Sequence, residues 1–206
     1  PKLAKGLVKR DLVRIVSPGT IIESSMLQDN QNNYIACINK EENTIALAAA
    51  DLSTGEFLTA ELNDVQQLKA ELARLAPAEI IIPVSLENSE FVASLKCTAI
   101  MTSYDDRHFW HEGAWNTLVA HFNVIDTTAF GIERDSACIT AAGALLKYLQ
   151  ETQKTRLGYI NKLRKYATSS FMSLDAATIR NLELLKNSRY GTTKAPSVTL
   201  VSILVS

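Results

Sequence analysis

At 206 residues, with 47% hydrophobic and 21% charged side chains, the chain is long enough for one good core plus flanking pieces and carries no disorder signature. No apolar run reaches the roughly 18 residues of a membrane span, and no charged-then-apolar leader precedes the body, so neither a spanning nor a secreted protein is indicated. The net charge of -1 hides an uneven distribution: residues 1–20 hold five Lys/Arg against one acid, 21–158 nine against nineteen, and 159–206 seven against two. An acidic body between basic ends is a poor duplex-binding surface, because phosphate contacts supply most non-specific affinity, and these charges read as solvated faces.

In chain order, Leu7 to Val16 reads as a strand that Ser17-Pro18-Gly19-Thr20 ends as a turn. Three strand candidates follow the polar stretch 28–33: Tyr34 to Ile38, Thr44 to Leu52 and Gly55 to Leu62. Their short polar links predict an antiparallel three-stranded meander. The period then changes: Val65, Leu68, Leu72 and Leu75 recur at spacings of three and four, the mark of one helical face, with Asp64 placed to cap it and Pro77 to close it. The continuous apolar run Ile80-Ile81-Ile82 predicts a short parallel strand buried on both faces. Beyond it, Phe91–Leu95 reads as a helix end, Thr98–Thr102 as a strand, and Trp115–Phe122 and Ile139–Leu149 as helices, the last capped near Asp135 or Ser136. After Gly158 the composition turns basic, with a possible strand at Leu163–Tyr166 and a helix at Ala176–Asn187 capped by Asp175. The expectation is a mixed α/β fold, helices packed on a central sheet, with its main boundary at Gly158.

Catalytic motifs are missing. The sequence has no glycine-rich phosphate loop, no dinucleotide fingerprint, no nucleophile elbow and no H-E-x-x-H. Cys37, Cys97 and Cys138 are odd in number and far apart, which indicates neither a disulfide framework nor a zinc site and points to a reduced, cytoplasmic setting. His108 and His111, with Glu112 beside them and His121 further on, read as surface or interface packing rather than a ligand set. A β-β-β-α-β order with Asp51 on its second strand resembles ribonuclease H-like nucleases, in which carboxylates hold two metal ions; Glu56, Glu79, Asp105 and Asp106 are the other candidates. The plainer reading gives Asp51 and Ser53 to the turn, their side chains bonding nearby backbone N–H groups. The basic groups Lys9, Arg10 and Arg14, and Lys162, Arg164 and Lys165, are possible phosphate contacts or covers for domain junctions.

Several segments, in their observed order, resemble the MutS family of DNA mismatch repair proteins. Val13 to Thr20 is similar to the turn that closes the family's mismatch-recognition domain, and Asp51-Leu52-Ser53-Thr54-Gly55-Glu56-Phe57 to the strand-turn-strand of its connector domain. Pro77-Ala78-Glu79-Ile80-Ile81 resembles the connector's next strand, and Ala141 to Tyr148 with Thr152-Gln153 its last helix. Met172 to Leu184 is like the segment that opens the family's core. The resemblance implies residues 1–20 as the end of the mismatch-recognition domain, 21–158 as a ribonuclease H-like connector without nuclease function, and 159–206 as the start of a helical core or lever domain.

It further implies a non-catalytic, cofactor-free piece of a longer protein, an expectation that Pro1 and the strand-like end Ile203-Leu204-Val205 share. That longer protein would be a cytoplasmic homodimer that binds mismatched duplex DNA, hydrolyses ATP with Mg²⁺ and engages MutL. The connector would transmit movement between mismatch recognition and the ATPase and offer surface for MutL. Gly19 and Gly158 are the possible hinges. The rival expectations are a metal-dependent nuclease that uses Asp51 and an autonomous DNA-binding module that uses the basic ends.

Overall fold

The computed structural model describes residues 17, 19, 33–153 and 157–168. The strand expected over 7–16, with Lys9, Arg10 and Arg14, and the helix expected over 176–187 lie outside the described residues.

Three strands open the fold: β1 (Tyr34–Glu41), β2 (Thr44–Asp51) and β3 (Glu56–Leu62). They pair antiparallel in sequence, Tyr34 opposite Asp51 and Asp51 opposite Glu56 at one end, as the short polar links predict. β1 runs three residues further than its apolar stretch, because Asn39, Lys40 and Glu41 stay paired with Ala46, Ile45 and Thr44 although the hydrophobic signal has stopped.

Helix α1 (Val65–Leu75) is built as its sequence indicates. The Asp64 carboxylate accepts from the Gln67 N–H at 2.8 Å, and Leu68, Leu72 and Leu75 are buried, each contributing about 1.5–3 kcal/mol by leaving water. Ala76 closes it in the left-handed region at φ 45°, its N–H bonded to the Leu72 carbonyl, one residue before Pro77.

Besides three short 3-10 turns, the remaining elements among the described residues are β4 (Glu79–Pro83), α2 (Glu90–Leu95), β5 (Ile100–Tyr104), α3 (His111–Phe122), α4 (Cys138–Gln153) and β6 (Arg164–Lys165). β5 starts two residues later than predicted, in register with β4 from Glu79 opposite Ile100. α3 starts four residues before its apolar period at Trp115, because its first turn is only partly buried and shows no stripe.

The strands form one mixed sheet in the order β5-β4-β1-β2-β3-β6, with β4 parallel to both β1 and β5, and β6 parallel to β3. This is the α/β architecture that the sequence predicts. Alternation along the strands divides two cores. Ile35, Cys37, Ala48, Phe57 and Ile81 face α3 and α4, whereas Ile38, Leu47, Leu62, Ile80 and Ile82 face α1 and α2. Alanines at 46, 48 and 50 of β2 and at 141, 142 and 144 of α4 let that helix lie close over the centre of the sheet. β6 follows the expected boundary at Gly158 in sequence, yet it is hydrogen-bonded into this same sheet.

Candidate functional site

Glu79 opens β4, the strand that lies between β1 and β5, and its side chain shares the α3/α4 face with Ile81. It is 1% exposed. A buried carboxylate is costly unless its acceptor positions, about four, are filled. Here four donors fill them. Oε1 accepts from Thr102 Oγ1 of β5 at 2.8 Å and from the Tyr148 hydroxyl of α4 at 2.9 Å. Oε2 accepts from Ser17 Oγ and from the Gly19 N–H, the latter at 3.2 Å. Burial, and then the Glu79 charge, push the Tyr148 phenol, already a donor at neutral pH, up to about 12.

One carboxylate thus joins the segment entering the domain to an inner strand, an edge strand and the last long helix. Gly19 suits this seat. A Cβ there would stand 2.7 Å from Ile35 Cβ and 3.0 Å from Glu79 Cβ.

A second set of contacts holds the segment that leaves. Lys165 Nζ lies 3.1 Å from Glu61 Oε2, and Ser136 Oγ donates to Glu61 Oε1 at 2.6 Å. The Tyr166 hydroxyl donates to Glu71 Oε2 at 2.8 Å, where Arg74 also binds at 2.6 Å. The Tyr166 N–H extends the β6 pairing by donating to the Thr59 carbonyl. Arg164 approaches Glu56 at 3.5 Å, and Lys162 is exposed. Of the basic residues singled out after Gly158, two therefore face carboxylates of their own sheet. Gly158 is exposed, and a Cβ added there would meet nothing within 4 Å, whereas Gly19 is enclosed.

The carboxylates considered for metal-dependent cleavage go to separate partners. Asp51 is fully buried at the end of β2, and its Oδ1 accepts from the Ser53 N–H at 2.8 Å and from Ser53 Oγ at 2.6 Å, which is the turn role. Glu56 accepts from the Tyr34 hydroxyl, Asp106 from Ser85, and Asp105 from Arg107, which holds the Asp105 carboxyl down to about 2. Among the described residues no three His, Cys, Asp or Glu side chains converge on a possible metal position. His108 stacks on Tyr104 at 4.3 Å and His121 Nε2 meets the Ile160 carbonyl at 2.9 Å, while His111 lines a shallow cleft with Glu133, Arg134 and Asp135.

In the sequence Glu79 stands only as one of several candidate metal carboxylates, and nothing local marks Thr102, Tyr148 and Ser17 as its donors, or Glu61 and Ser136 as partners. The available signal was an acid at the head of an apolar strand, since such a residue must find donors wherever the fold supplies them.

A family model described as MutS domain II matches residues 33–161. The DNA mismatch repair protein MutS of Symbiobacterium thermophilum is 41% identical over 196 residues, covering 93% of this chain and 22% of that protein. The MutS proteins of Methanosarcina acetivorans and Protochlamydia amoebophila are 40% and 43% identical, over 92% and 89% of this chain. The chain spans 22–23% of the length of these three relatives. The chain therefore belongs to the MutS family of DNA mismatch repair proteins, and its described body is that family's domain II, the connector.

Proposed function

We propose that this domain transmits conformational change between the mismatch-recognition and ATPase parts of a longer MutS protein and offers surface for MutL. The carrying observation is that both chain junctions are fastened to one packed body by side-chain contacts, the entering segment at Glu79 on strand β4 and the leaving segment at Glu61 on strand β3 and Glu71 on helix α1. A rigid body held at both ends moves as a unit, and because β6 is paired into the sheet, Gly158 lies within that body. On this reading the domain itself needs no metal or nucleotide. The whole protein would be a cytoplasmic homodimer that binds mismatched duplex DNA and uses ATP with Mg²⁺.

The leaving junction supplies the test. In the full-length protein, Lys165→Ala with Tyr166→Phe should leave nucleotide-free mismatch binding within about two-fold and slow ATP-driven release from the mismatch about ten-fold, a change of about 1.4 kcal/mol in the barrier. Release at the wild-type rate would show that the junction transmits nothing.

A further inference from the structure

We propose that Glu79 is the pin of a detachable coupling, in which the entering segment is seated or unseated and its state is felt by β5 and α4 through one carboxylate. This rests on the transmitting role proposed above and names the device that performs it. The two oxygens divide the work: Oε2 takes the entering segment through Ser17 and Gly19, and Oε1 takes Thr102 and Tyr148. The residues joined are far apart in sequence, with separations of 60 for Gly19–Glu79 and 69 for Tyr148–Glu79.

The seat is specific. Gly19 is buried against Ile35 and Glu79, where any side chain collides. The entering segment's described hold on Glu79 is polar, two hydrogen bonds to one carboxylate oxygen, each of a kind whose net contribution is modest because it replaces a bond to water. The carboxylate turns about one soft Cγ–Cδ bond, and the donors from Thr102 and Tyr148 fix that angle. Losing one of them leaves Oε2 less firmly aimed at the Gly19 N–H. Tyr148 extends the chain of contacts, its ring lying edge-on to Tyr104 at 5.4 Å, and Tyr104 donates to Glu151 further along α4.

Thr102 gives the discriminating variant, because its hydroxyl donates to Oε1 and it belongs to the edge strand rather than to the seated segment. In the full-length protein, amide hydrogen exchange at Gly19 should quicken about five-fold in Thr102→Val, the loss of one hydrogen bond's worth of grip, and return to the wild-type rate in Thr102→Ser, which restores the hydroxyl. An unchanged Gly19 rate in a folded Thr102→Val protein overturns the coupling. If Thr102→Val fails to fold, Tyr148→Phe takes its place, with exchange at Thr102 as the second readout, and the same criterion applies. A quickened Gly19 amide together with unaltered ATP-driven release upholds the pin and overturns instead the transmitting role on which it is hung.

Discussion

Glu61 is pulled two ways. Its partial burial raises the carboxyl pKa, but the Ser136 hydroxyl at 2.6 Å and the Lys165 ammonium at 3.1 Å outweigh burial and bring it below the usual carboxylate value. A group lowered on folding contributes stability above its unfolded pKa, about 4.3 for Glu, and loses that contribution as pH falls through the folded value. Wild type should therefore exceed Glu61→Gln in urea midpoint at pH 7, with the gap closing below about pH 4. A gap constant with pH would mean that charge is not what holds β6 here. At this scale the sequence is legible where a residue acts on its own neighbourhood: Asp64 caps α1 and Asp51 serves its turn because both bonds span three residues or fewer. Glu79 is illegible for the opposite reason. Its donors come from positions 17, 19, 102 and 148, and no local pattern says which they are.

The crossing of α3 over α4 turns on Gly143, while Gly113 on α3 stands clear of it. A Cβ on Gly143 would stand 2.5 Å from both Cα and Cβ of Ala114, whereas one on Gly113 would meet nothing within 4 Å. Alanine gains up to about 1 kcal/mol over glycine inside a helix, and backbone overlap of this kind costs about 1–3 kcal/mol. Gly143→Ala should accordingly lower stability by about 1–2 kcal/mol and Gly113→Ala raise it by about 0.5–1 kcal/mol, read from urea unfolding at unchanged slope. A stabilised Gly143→Ala protein would show that the helices part freely. Elements with strong periods were readable: the meander, α1 and the buried β4 are where spacing puts them. The starts of β5 and α3 were not, because β5 takes its register from β4 and the first turn of α3 has no apolar stripe.

Across the whole molecule, the fold class follows from element order, but the sheet's extent does not. Composition changes at Gly158, while the fold recruits Arg164 and Lys165 as a sixth strand, sends Leu163 into the core under α4 and packs Tyr166 on the other. A chain ended after Asn161 should be less stable by about 3 kcal/mol, chiefly through the loss of the buried Leu163. An unchanged urea midpoint would make β6 an ornament. The same pairing bears on how the protein is made. β3 finishes at Leu62, and its outer neighbour follows roughly a hundred residues later, an interval of about 5–20 s at ordinary rates of translation. Throughout that interval the β3 border of the nascent chain stays open at Leu58 and Thr59, the two positions that β6 later pairs, so the distance between Leu62 and Arg164 sets how long that stretch is exposed to strand addition.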